Sequence, residues 1–175
     1  MAELEIHHET EHAIDPIGQK IGILAAVLAV CLAVVTIASH RTHTAAIMHQ
    51  STANDDWAHY QSTRAKYHNL ELGEDLMVGL GIRNQSSDKM LADYAIQMKK
   101  YEKQGNEIQT QAQGETKAAE RDERRGLRYD LGEGLLEIAL VLTSLYFISH
   151  KMLFPTLGLT AGIAGVLIAV TALLA

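Results

Sequence analysis

The chain has 175 residues, 47% of them hydrophobic, with a formal net charge of −6 and a single cysteine. Residues 21–39 and 152–175 carry no Asp, Glu, Lys or Arg, whereas 40–134 holds 13 of the 15 Lys/Arg and 15 of the 21 Asp/Glu. Such segregation excludes an ordinary water-soluble domain, and the lone Cys31 excludes a disulfide scaffold.

The N-terminal tail, residues 1–16, is acidic. Glu3, Glu5, Glu9, Glu11 and Asp15 oppose the basic start of a cleaved signal peptide, so no cleavage is expected. Within it His7, His8, Glu11 and His12 form the best metal candidate. On a helix His8 and His12 share a face at i, i+4, a spacing that suits Zn²⁺ or Ni²⁺. Glu11 or, from another copy, His7 would complete the set. A solvated tail is the duller reading, and no cofactor is expected.

A helix needs about 20 apolar residues to cross ~30 Å of hydrocarbon. Residues 17–39 meet this, with Lys20 able to reach the interface. Gly18, Gly22, Ala25, Ala29 and Ala33 give this span a small-residue face for helix packing.

Region 40–134 reads as a long antiparallel helical hairpin. Ala46, Ala53, Trp57, Tyr60, Tyr67 and Leu70 recur at near-helical spacing in its first arm. In the second arm Leu91, Tyr94, Met98, Tyr101, Gly105, Ile108, Ala112, Glu115 and Ala119 alternate in steps of three and four. That is a coiled-coil-like heptad seam, with Gly105 and Glu115 as defects. Core packing of Trp57, Tyr60 and Tyr67 against Tyr94, Met98 and Tyr101 is the expected role of these rings. Ser86 and Ser87 are candidate N-caps for the second arm.

The tip is placed at 73–86. Gly73, Gly79 and Gly81 are expected to end regular helix there, yet Leu76, Met77, Val78, Leu80 and Ile82 are apolar. A polar tip is the norm, so an apolar one suggests a partner surface. Folding back onto the hairpin's own core is the alternative. Gly79 and Gly81 form no phosphate loop, since no Lys-Ser/Thr ending follows.

The second span is expected over 135–149, a turn over 150–155 and a third span over 156–175. The turn rests on His150, Lys151 and the helix breaker Pro155. Two spans with a re-entrant tail is the fallback. Gly158, Gly162 and Gly165 permit close helix contact. Glu137 falls in the first turn of the second span, where pairing or snorkelling at the level of His40, Arg41 and His43 is the plain explanation. Proton or ion handling is the functional one.

Six cations flank the middle region (Arg41, Lys117, Arg121, Arg124, Arg125 and Arg128) against Lys20 and Lys151 on the other side. The bias puts the middle region in the cytoplasm, although the loop exceeds the length for which the rule is strong. The cluster Arg121–Arg128 has two readings, anionic lipid headgroups or intrahelical pairing with Glu120, Asp122 and Glu123. A net charge of −6 argues against nucleic-acid binding.

Three elements resemble a known family. They are Glu11-His12-Ala13-Ile14-Asp15-Pro16 before an Ala/Val/Leu span, Trp57-Ala58-His59-Tyr60-Gln61 after Asn54-Asp55-Asp56, and Arg128-Tyr129-Asp130-Leu131-Gly132-Glu133 entering the second span. Together they resemble a bacterial membrane protein family known only as a domain of unknown function. The resemblance implies a multi-pass bacterial inner-membrane protein with a helical middle region. It implies no activity, ligand or catalytic residue, and the tip at 73–81 has no match in it.

The expected fold is therefore all-α and integral to a membrane, with three spans and a hairpin stalk. No Ser/His/Asp or Cys/His set converges, so an enzyme is not expected. The function read from the sequence is an oligomeric membrane scaffold whose stalk offers a protein-interaction surface, with membrane lipids and further copies as partners. An accessory subunit of a larger membrane complex is one alternative. An oligomeric pore or transporter is the other, for which Thr36, Thr143, Ser144 and Thr160 are the few polar span residues available.

Overall fold

A computed structural model describes residues 15–82 and 84–174. The described chain is helical: α1 (Pro16–Gly79), α2 (Gln85–Ser144), the single turn α3 (Tyr146–Ser149) and α4 (Leu153–Leu173), with no strand among the described residues. Three stretches of helix are long and apolar enough to cross a membrane, namely Pro16–Gly79, Gln85–Ser149 and Leu153–Leu173.

Local chemistry sets where each helix begins and ends. Asp15 caps α1: its carboxylate accepts from the Ile17 amide at 3.0 Å, and Pro16 occupies the first helical position, where no N–H is missed. Gly18 makes room for this cap, because a Cβ there would lie 2.8 Å from the Asp15 carboxylate.

The expected tip is corrected. Gly73 does not end α1, which runs on to Gly79, so Leu76, Met77 and Val78 lie in the helix. The stop comes at Gly81, the described glycine with left-handed backbone (φ +66°). The Gly81 amide donates to the Val78 carbonyl at 3.1 Å and the Ile82 amide to the Met77 carbonyl at 3.2 Å. This double closure is the Schellman arrangement, and it needs a residue that tolerates positive φ.

The cap of α2 is also corrected. It is Asn84, whose Oδ1 accepts from the Ser86 and Ser87 amides, each at 2.9 Å. Ser87 reciprocates through its Oγ, which accepts from the Asn84 amide at 2.8 Å. Asparagine thus opens a capping box that serine closes.

The turn before α4 is shorter than expected. His150 takes left-handed backbone (φ 51°), and α4 begins at Leu153. Pro155 sits inside the first helical turn, where its absent N–H has no carbonyl to satisfy.

The helices sort into two compact units. The apolar unit takes Arg128–Leu174 with the described residues up to Ser39; the polar unit takes His40–Leu127. Residues 128–134, expected in the stalk, thus pack with the apolar unit.

In the apolar unit Leu28, Val35, Tyr129, Leu136, Ala139, Ala169 and Ala172 form the core. Glycines bring its helices to backbone contact. A Cβ on Gly132 would lie 2.9 Å from the Gly165 carbonyl oxygen, and one on Gly165 would lie 2.8 Å from that of Gly132. Gly158 is closed off by Thr143 and Gly162 by Leu28. Gly22 has open space, Ala29 and Ala33 are exposed, and Ala25 is half-buried.

In the polar unit α1 and α2 pack together, and contact numbers rise along α1 as they fall along α2. His43 meets Gly126, Trp57 meets Thr116, Tyr60 meets Gly105 and Gly73 meets Tyr94. Ala53, Thr63, Ser87, Gly105, Ile108, Ala112 and Ala119 are buried, while Trp57, Tyr60, Tyr67, Leu91, Tyr94, Met98 and Tyr101 are half-buried. Three of these contacts share a pattern in which a ring rests on a glycine of the facing helix. Gly105 is therefore a seat for Tyr60 rather than a defect.

Candidate functional site

The polar unit gathers its buried charge around His49. This residue lies in the stripe between Ala46 and Ala53, half-buried on α1. Its Nδ1 is 2.6 Å from Glu115 Oε2, and its Nε2 is 3.8 Å from Asp122 Oδ2. Asp122 is 6% exposed and also pairs with Arg125 at 3.5 Å. About two turns along α1, the Trp57 indole N–H donates to Thr116 at 3.4 Å.

The sequence reading missed this network because it tracked apolar residues. The signal was present: His49 is three residues from Ala46 and four from Ala53, and Asp122 follows Ala119 by three. The imidazole thus ties two helices, hydrogen-bonded to Glu115 and within ion-pair reach of Asp122. An open groove of about 570 Å³ lies beside it, lined by His43, Ala46, Gln50, Asn54 and Glu123 among others.

The candidate tip residues flank the turn between α1 and α2. Leu76 (55%), Val78 (62%), Leu80 (72%) and Ile82 (44%) are exposed, and Met77 is half-buried. Met77 and Ile82 line a small hollow with Val78 and Leu91.

In the apolar unit two hydroxyls meet two carboxylates. The Thr36 hydroxyl donates to Glu133 at 2.8 Å and the Ser39 hydroxyl to Asp130 at 2.6 Å. Arg128 donates to the Thr171 carbonyl at 3.1 Å, satisfying one of the last acceptors of α4. Cys31 lines an apolar groove with Val35, Tyr129 and Ala169.

Glu137 is exposed and without a partner among the described residues, and the same holds for Arg41. The expected pairing of Glu137 at the interface does not form. Within the arginine cluster Arg124 pairs with Glu120 at 3.8 Å and Arg125 with Asp122, so intrahelical pairing is realised for both. His7, His8, Glu11 and His12 lie outside the described residues. Among the described residues no group of three or more His, Cys, Asp or Glu is placed to hold a metal ion.

These features define a helical protein with three helices long and apolar enough to cross a membrane. The family model described as a domain of unknown function (DUF4337) matches residues 17–175, and the chain belongs to that family. No curated protein and no solved structure matches the chain.

Proposed function

We propose that the protein is a non-enzymatic, self-assembling membrane scaffold of the bacterial inner membrane. In this reading the apolar unit spans the bilayer. The polar unit is a cytoplasmic hairpin with coiled-coil-like packing that presents an interaction surface at its turn. The observation that carries the reading is the row of exposed apolar side chains at that turn, Leu76, Val78, Leu80 and Ile82, which are set more densely than the exposed Ile47, Met48, Leu72, Met90, Ile96 and Leu127 elsewhere in the polar unit. Isolated exposed apolar residues are ordinary, but four within seven positions mark a surface that another protein covers.

Membrane insertion is supported by the apolar unit's inverted surface. Ile23, Val27, Val30, Val34 and Ile37 of α1 face outward at 53–65% exposure. Water would penalise that surface, whereas hydrocarbon does not.

The pore reading is weaker. The Thr36 hydroxyl is held by Glu133, while Thr143, Ser144 and Thr160 each donate to a carbonyl of their own helix. With their protons so engaged, these hydroxyls offer water acceptor sites alone.

The test is the mass and composition of the complex extracted in mild detergent. A homogeneous multiple of 19.2 kDa is expected. A 19.2 kDa monomer, or a fixed complement of foreign subunits, would overturn self-assembly and in the second case favour an accessory subunit.

A further inference from the structure

A groove of about 330 Å³ is cut into the apolar unit. Val30, Val34 and Ala38 line it from α1, Val166 and Leu173 from α4, and Tyr129 from α2. Val30 to Ala38 covers about 12 Å by helical rise, so the groove runs lengthwise along the helices. Its inner end lies near the contact of Leu28 with Gly162. Its outer end lies where Ser39, the last residue of the uncharged stretch of α1, meets Asp130.

Tyr129 stands at that outer end. It is 4% exposed, yet its hydroxyl has no hydrogen-bond partner among the described residues. No polar side-chain atom among those residues is sealed off without a partner, so the hydroxyl keeps an opening. A tyrosine so enclosed ordinarily finds an acceptor, because burying an unpaired donor costs its hydration. The rest of the groove wall is hydrocarbon apart from the Cys31 thiol, a weak acceptor.

A cation sits at the same end. Arg128 is exposed and donates to the Thr171 carbonyl at 3.1 Å, next in sequence to Val170 of the groove wall. No carboxylate among the described residues pairs with it. Its guanidinium has further N–H donors to offer. The nearby carboxylates face elsewhere: Asp130 accepts from Ser39 and Glu133 from Thr36, and neither hydroxyl residue lines the groove.

We infer that the groove holds an anionic phospholipid of the surrounding bilayer. Its acyl chain lies along Val30 and Val166, an ester carbonyl accepts from the Tyr129 hydroxyl, and the phosphate pairs with Arg128. From the inner end outward the site offers hydrocarbon, then a lone donor, then a cation. A phospholipid presents chain, ester and phosphate in that order along the bilayer normal. The ester supplies the acceptor that the groove wall lacks, and the phosphate supplies the charge that Arg128 lacks. The inference rests on the spanning reading above and adds a lipid held in place, distinct from those that exchange freely along the helices.

The test uses the full chain in phosphatidylcholine vesicles that contain a trace of phosphatidylglycerol with a diazirine in its acyl chain. After illumination, cross-links mapped by mass spectrometry should concentrate on Val30, Val34 and Val170. Ile37 and Leu167, exposed at similar depth outside the groove, should be labelled less. Unlabelled phosphatidylglycerol should suppress the groove cross-links about fivefold more effectively than phosphatidylcholine, the preference one cation confers. Arg128→Gln should abolish that preference. Tyr129→Phe keeps the ring and should weaken retention of both lipids about threefold to tenfold, the effect of one hydrogen bond. Even labelling inside and outside the groove, indifferent to competitor, means ordinary bilayer contact and overturns the site while the spanning reading stands. Apolar helices without any cross-link remove both. Labelling of Ile37 and Leu167 but not of the groove assigns it to a protein neighbour. Stronger competition by an isoprenoid quinone assigns it to a ligand without phosphate. Either result overturns the phospholipid.

Discussion

His49 Nδ1 lies 2.6 Å from Glu115 Oε2, joining α1 to α2 in the polar unit through a half-exposed pair. The second ring nitrogen faces Asp122, which is buried. Removing one member of a buried polar set costs the desolvation of what remains. His49→Ala leaves Asp122 with Arg125 alone and should cost about 1–2 kcal/mol. Glu115→Ala removes a group that is a third exposed and should cost less than about 1 kcal/mol. Thermal unfolding of the detergent-extracted chain, followed by helical circular dichroism, checks the order of the two. Equal losses would contradict the burial of Asp122.

The contact between Gly132 and Gly165 makes a sharper demand. Each glycine faces the other's carbonyl oxygen, which cannot rotate away. Gly132→Val or Gly165→Val should cost about 1–3 kcal/mol or more by overpacking. Gly114 on α2 has open space around it. Gly114→Ala should therefore stabilise by roughly 0.5–1 kcal/mol, since alanine favours helix. A neutral Gly165→Val would mean that the helices stand further apart.

At the turn, Gly81 and Asn84 act on different helices. Gly81→Ala places a Cβ in left-handed backbone and should cost about 1–2 kcal/mol. Asn84→Ala loses the acceptor for two amides and should cost about 1 kcal/mol. With little shared contact, the double variant should lose about the sum of the two. Gly73→Ala is a useful contrast: its backbone is helical, and its penalty comes from the Tyr94 ring 3.0 Å from the new Cβ. Tyr94→Ala should relieve that penalty and leave the Gly81 effect unchanged.

Leu80→Asp and Leu76→Asp test the exposed turn. Both side chains are more than half exposed, so unfolding should shift by no more than about 0.5 kcal/mol. Capture of a binding partner, or the native mass of the complex, should change if this surface is covered. An intact assembly in both variants would remove the turn as an interaction surface.

Much of the chain was legible from its residues. Segregated charge marked the apolar helices because no charge-free run of that length suits a water-soluble surface. The three-and-four spacing from Leu91 to Ala119 marked a helix with one buried stripe, and Ile108, Ala112 and Ala119 are buried in it. Asp15-Pro16 carried its own physics, a cap followed by a residue that needs no donor. These features are local, since spacing, capping and hydropathy act within a few residues.

What only the tertiary structure decided involves pairs distant in the chain. Sequence alone made Gly73 a helix end and Gly105 a flaw, because a glycine's effect depends on what approaches it. Gly73 receives Tyr94, Gly105 receives Tyr60, and Gly81 alone takes a conformation that stops a helix. His49 carried no assignment from spacing, and its role comes from Glu115 and Asp122, which α2 brings to it. Glu137 looked like one half of a charge pair, yet it stands exposed and without a partner among the described residues. A side chain's type can be read from one position, but its solvent and its partners are supplied by segments far away.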